Sequence, residues 1–232
     1  MPSTLAALFL AHVLADYVFQ TRTMVANKRA PKVLLGHALV VLLTAMACVG
    51  QMPVTALLIV AGAHLAIDTI KSHLLADTAG PHVVDQTLHL ATLALVAILF
   101  PALWHDGAWG AAPAWVAHAM LLLAGFIYVT RAGGFAVGML MARFDETEKP
   151  ETLPQGGFLI GTLERGLIFL LMLGGMAAGI GFLVAAKSVL RFEATQNSKM
   201  AEYVIIGTLA SFGWAIAVTI GVMALRDALP SL

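Results

Sequence analysis

Apolar residues fill this chain in long blocks. The short polar stretches between them mark out candidate helices at roughly 4–20, 33–50, 53–73, 83–103, 113–131, 158–187 and 201–225. Each block approaches or exceeds the ~20 residues that a helix needs to cross a bilayer core. The connection "GQMP" between the second and third blocks is short enough to predict an antiparallel hairpin. The pattern predicts an all-α fold: a polytopic transmembrane helical bundle of about seven spans. Residues 1–105 are expected to form a four-helix membrane bundle, and residues 106–232 the remaining transmembrane helices of the same integral-membrane unit.

Composition agrees. Of 232 residues, 60% are hydrophobic and only 11% charged, against about 45–50% and about 25% in soluble domains. Mean hydropathy is +0.90. The 13 basic and 13 acidic residues cancel, so no electrostatic footprint points to nucleic acid. Membrane lipids are the expected partners, and no feature bears on oligomeric state. Cys48, the only cysteine, lies in an apolar run and reads as small core filler. The first block lacks a basic leader and an A-x-A site and carries His12 and Asp16, so it reads as a retained helix rather than a signal peptide.

The loop "TRTMVANKRAPK" holds Arg22, Lys28, Arg29 and Lys32 and no acid, which assigns it to the cytoplasm by the positive-inside rule. That orientation also puts the mixed-charge stretch "RFDETEKPETLPQGG" inside, while the loop near Lys187, Arg191 and Lys199 falls outside. The bacterial inner membrane is the expected location.

Polar residues interrupt the apolar blocks in one recurrent way. "HLAIDTIK" places His64 and Asp68 four residues apart, on one helical face, with Lys71 a turn further. "HVLAD" repeats the spacing with His12 and Asp16, "DQTLH" reverses it with Asp85 and His89, and "LGHALV" adds His37. His12 and Asp16 sit late in the first block and His37 early in the second. His64 and Asp68 sit late in the third, Asp85 and His89 early in the fourth. In an up-and-down bundle all seven reach one side of the membrane, the cytoplasmic side in the orientation above.

An ionisable side chain in lipid costs a few kcal/mol and turns inward to a partner. Converging carboxylates repel one another unless they are neutralised, and a divalent cation supplies the missing charge. Imidazole with carboxylate suits zinc, the expected ion, and also iron or manganese. Seven ligands exceed the four of a closed zinc site. They suffice for two ions, or for one ion with outer residues orienting its ligands. Any one His–Asp pair is equally well a hydrogen bond or a proton relay; the repetition favours metal. His73, His82, His105 and His118 lack such a partner and read as ordinary interfacial or core histidines, with His82 the exception because it adjoins the cluster. Gln20, Lys71 and Gln86 are candidates for an outer shell or for substrate contact.

In the C-terminal half, "GTLERGL" places Glu164 and Arg165 early in the sixth block, at the level of the cluster, with Arg165 a further candidate substrate contact. Lys187 and Arg191 share a face at the opposite end, where Glu202 is an expected partner. Arg131, followed by two glycines, is expected to mark a helix end or break. "LIGTLER" at 159–165 echoes "IIGTLAS" at 205–211.

The motifs "HxxxDYxxQ" (12–20), "GH" (36–37), "HLxxDxxK" (64–71) and "DQxLH" (85–89) resemble an uncharacterised family of bacterial inner-membrane proteins, a domain of unknown function. The tail "IGxLER…AAKSxxRF…EYxxIGT" (160–208) resembles a part found in longer members. The His–Asp pairs are also similar in style to membrane-bound metal-dependent hydrolases of bacteria. They are more distantly similar to the seven-helix ceramidase and adiponectin-receptor type of zinc amidase. That resemblance implies only the idea of an intramembrane zinc hydrolase, because ligand order and spacing differ.

The expected function is a metal-dependent hydrolase acting on a lipid or membrane-delivered substrate. Asp16, Asp68 and Asp85 are the candidate catalytic carboxylates. His12, His37, His64 and His89 join them as candidate metal ligands. HExxH and GxSxG motifs are missing. The alternatives are a metal-ion or proton transporter, a non-catalytic scaffold or sensor with a structural metal, and an iron redox enzyme.

Overall fold

The computed structural model describes residues 1–52, 54–144, 155–190 and 198–231, and among them every regular element is helical. The helices are α1 (Pro2–Leu14, continued by a π-helical turn Ala15–Phe19), α2 (Arg22–Ala26), α3 (Pro31–Val49), α4 (Thr55–Leu74), α5 (Ala79–Leu99), α6 (Trp115–Ile127, continued by a π-helical turn Tyr128–Ala132), α7 (Gly133–Met141), α8 (Gly156–Leu173), α9 (Ala178–Leu190) and α10 (Ser198–Asp227). Seven helical segments are long and apolar enough to cross a membrane: Pro2–Phe19, Pro31–Val49, Thr55–Leu74, Ala79–Leu99, Trp115–Met141, Gly156–Leu173 and Ser198–Asp227. The chain is a multi-pass, all-α membrane protein.

Two compact units emerge, residues 1–124 with 224–232, and residues 125–223. In the first, α1, α3, α4 and α5 pack each on the next, and α5 closes back on α1. Most of α1 is buried. Its run of Ala6, Ala7 and Ala11 presents little side chain, which lets neighbouring backbones approach closely in lipid. Outward positions stay apolar, with Leu35, Leu39 and Leu43 on α3 and Leu58, Ile70 and Leu74 on α4 exposed. Such surface is compatible with lipid and not with water. The expected α3–α4 hairpin forms. Gly50 ends α3 at φ +74°, a left-handed conformation that glycine adopts without strain, and a Cβ there would lie 2.7 Å from Trp109 Cδ1.

The loop after α5 folds over the end of this bundle where α1 begins and α3 finishes. Thr4 Oγ1 donates to the Pro101 carbonyl (3.1 Å), Gln51 Nε2 to Leu103 (2.7 Å) and Trp109 Nε1 to Ala47 (2.9 Å). At the other end Arg29 Nε donates to the Ser72 carbonyl (3.1 Å), tying the basic stretch around α2 to the end of α4.

Two sequence expectations for the second unit need correction. Arg131 ends no helix: the backbone passes through the π-helical turn 128–132 and continues as α7 to Met141. The carbonyls of that turn are taken by side chains. Trp214 Nε1 donates to Tyr128 (3.3 Å), and Arg165 Nε and Nη2 donate to Thr130 (3.2 and 2.8 Å). Nor is 158–187 one long helix. The chain turns at Gly174 and at Gly175 (φ +73°), and α9 runs back along α8. Lys187 therefore reaches Glu164 at 2.7 Å rather than Glu202 at a far end. Arg191 and most of the stretch 143–157 lie outside the described residues.

Candidate metal centre

The first four spans deliver their polar residues to one place. The His12–Asp16, His64–Asp68 and Asp85–His89 pairs each occupy successive turns of one face, because four residues advance a helix by slightly more than a turn. Asp16 falls in the π-helical turn that follows α1, a feature often found at functional sites. His37, early on α3, faces them. The side chains of His12, His37, His64, Asp68, Asp85 and His89 are buried, and Asp16 is nearly so.

The tightest grouping comprises four atoms from three spans. His37 Nε2 lies 3.1 Å from His64 Nε2, 3.2 Å from Asp16 Oδ1 and 3.6 Å from Asp68 Oδ2. His64 Nε2 lies 3.4 Å from Asp16 Oδ1 and 3.5 Å from Asp68 Oδ2. Each Nε2 carries at most one proton, so His37 and His64 can each donate one hydrogen bond to these neighbours. Metal–ligand bonds of about 2.0–2.1 Å in a tetrahedron put neighbouring donors about 3.3–3.4 Å apart, and the five distances that involve an imidazole nitrogen lie near that value. His37, His64 and Asp68 each offer a donor atom within 4.8 Å of the other two, as do His12, Asp16 and His64, so these groups could hold a metal ion.

Outside this cage the remaining residues form an ordered chain. Lys71 Nζ (3.1 Å) and Gln86 Nε2 (3.2 Å) both donate to Asp85 Oδ2. That contact fixes the Gln86 amide, because a carboxylate only accepts, and leaves its Oε1 to accept a hydrogen bond from His12 Nε2 at 3.3 Å. The other ring nitrogen of His12, Nδ1, faces Asp16 Oδ2 at 3.9 Å. His89 Nδ1 donates to the Asp85 backbone carbonyl (2.9 Å) and lies 3.7 Å from Asp85 Oδ1, so in a neutral ring Nε2 would be the acceptor. The His89 ring lies 4.1 Å from that of His64 and 5.2 Å from that of His12, centroid to centroid.

All seven expected ligands thus meet, with Lys71 and Gln86 around them. His82, set apart in the sequence as the exception, is buried beside Lys71 (3.4 Å). Gln20 caps the π-helical turn, half-buried, and makes no side-chain hydrogen bond among the described residues. Arg165 bonds to Thr130, Ser211 and Thr162, all in the second unit. His73 and His118 bond to carbonyls of their own helices. The linkage through Gln86 was only half visible in sequence, where Gln86 stood out as a neighbour of Asp85; its bond to His12 joins residues 74 positions apart. The π-helical turn that carries Asp16 has no signal in the residue pattern.

Fold and site together define a multi-pass helical membrane protein with a buried His/Asp cluster. Residues 4–109, which carry the whole cluster, match the model of a family described as a protein of unknown function (DUF3307). No curated protein and no solved structure matches the chain.

Proposed function

We propose that this chain is an intramembrane metal-dependent hydrolase of the bacterial inner membrane, acting on a lipid or membrane-delivered substrate. Zinc is the expected ion, and iron or manganese suits the same donors. The observation that carries this reading is the grouping of His37 and His64 with Asp16 and Asp68, in which the two imidazole nitrogens lie 3.1–3.6 Å from each other and from one oxygen of each carboxylate. A divalent ion held here by three of these donors, with the fourth position open, would supply a bound water with its pKa lowered towards about 7 and a polarised carbonyl or phosphoryl oxygen. Asp16 and Asp68 would neutralise the ion, the apolar helices exclude bulk water, and Asp85 is the carboxylate outside the cage. The tie from Arg29 to Ser72 holds the basic loop at the cluster's end of the bundle, which supports a site towards the cytoplasmic leaflet.

A second reading, an ion that only ties helices together, draws on the same donor count, since four protein ligands are typical of closed structural sites. One experiment separates the two. The full chain is purified in detergent, its metal content is measured beside His64→Ala and Asp68→Ala, and each protein is incubated with bacterial lipid extract. Bound metal in the wild type alone, with lipid products that Asp68→Ala does not generate, supports hydrolysis. Bound metal without products supports the structural ion. Equal metal in all three proteins overturns both.

A further inference from the structure

Several buried polar atoms at the cluster are left over: His37 Nδ1, Nε2 of the adjacent His82, Asp85 Oδ1, whose neighbour His89 Nδ1 is 3.7 Å away, and His89 Nε2. Asp85 Oδ1 and His89 Nε2 have no hydrogen-bond partner among the described residues. Their residues are only 3% and 2% exposed. An unsatisfied buried polar atom costs about 1–3 kcal/mol, and more if it is charged. Both belong to side chains whose other polar atom is firmly held. Asp85 Oδ2 receives Lys71 and Gln86, and His89 Nδ1 donates to a backbone carbonyl. Outer hydrogen bonds of this kind orient metal ligands: a second nitrogen donating to a carbonyl fixes the imidazole tautomer, and a donor on one carboxylate oxygen aims the other.

Asp68, Asp85 and His89 each offer a donor atom within 4.8 Å of the other two. Asp68 is also part of the cage. We propose that the centre takes two divalent cations, the second held by Asp85 Oδ1, His89 Nε2 and a carboxylate shared with the first, Asp68. The inference rests on the cage holding the first ion and goes beyond it. Three protein donors leave a coordination position for water or substrate, which four do not. Paired metals joined by a shared carboxylate are a recurrent arrangement for hydrolysis, the ions about 3.5–4 Å apart. The second ion also changes the charge. One divalent cation balances Asp16, Asp68, Asp85 and Lys71, and two leave the centre positive, a state suited to hydroxide and an anionic phosphoryl group rather than a neutral amide.

The full chain in detergent, stripped of metal and titrated with manganese(II), provides the test through bound ions per chain and electron paramagnetic resonance. The expected wild-type result is two ions and the spectrum of a spin-coupled pair. Asp85→Asn and His89→Gln, which preserve size, should each bind one ion and give the signal of an isolated manganese. A single ion in the wild type, uncoupled and unaffected by either substitution, overturns the second position while leaving the cage intact. Two coupled ions retained in both variants overturn its placement. Failure to bind any ion overturns the cage as well.

Discussion

The two compact units treat buried charge in opposite ways. In the second, Arg165 is as buried as any cluster residue, and its donors are used: two reach the Thr130 carbonyl and one the Ser211 hydroxyl. Glycines leave room for it, since a Cβ at Gly161 would lie 2.9 Å from Nη1. Lys187 and Glu164 likewise close on each other. In the first unit the polar groups converge without closing. Imidazole nitrogens and carboxylate oxygens crowd within 3.1–3.6 Å of one another, and His37 Nδ1, Asp85 Oδ1 and His89 Nε2 are left without a hydrogen-bond partner among the described residues. The hydrogen bonds of Arg165 close within the second unit, whereas the unpartnered atoms of the first are what the proposed metal centre rests on.

That contrast can be broken most severely at Asp68, which serves both groups of donors. Asp68→Ala should lower metal affinity by well over the ~100-fold upper range seen when residues behind the ligands are lost, read as metal retained after dialysis. Removing the support behind Asp85 is milder. Lys71→Met and Gln86→Leu should each weaken the second ion about 10–100-fold and leave the first in place, measured in the same manganese titration. Arg165→Leu should leave metal binding unchanged and destabilise the protein by about 1–3 kcal/mol, because Thr130 and Ser211 lose their partner, read as a shift in the detergent melting curve. The smallest effect is expected at the partly exposed ion pair: Glu164→Gln should cost at most about 1 kcal/mol in the same melt.

Much of the first unit could be read from sequence. The four-residue spacing fixes which side chains share a face, and alternating helix direction then brings late and early positions to one level. His12, His37, His64 and Asp85 need no more than that. The internal order of the cluster could not be read, because which acceptors are left over depends on rotamers and on Gln86 bridging α1 and α5. The second unit was less legible. Apolar residues surround Gly174 and Gly175, so periodicity runs on through a turn that only backbone conformation reveals. At Arg131 the glycines that follow suggested a break, whereas Gly133 and Gly134 serve close packing: Cβ atoms there would lie 2.6 Å from Trp214 Cδ1 and 2.7 Å from Phe158 Cε2.

The most direct measurement of a cation in the cage is X-ray absorption on the purified full chain loaded with one equivalent of zinc. A shell of nitrogen and oxygen at about 2.0–2.1 Å, with outer imidazole scattering that weakens in His37→Ala, is the expected spectrum. A hydrated ion whose spectrum is the same in wild type and His37→Ala, or no retained zinc at all, would contradict it.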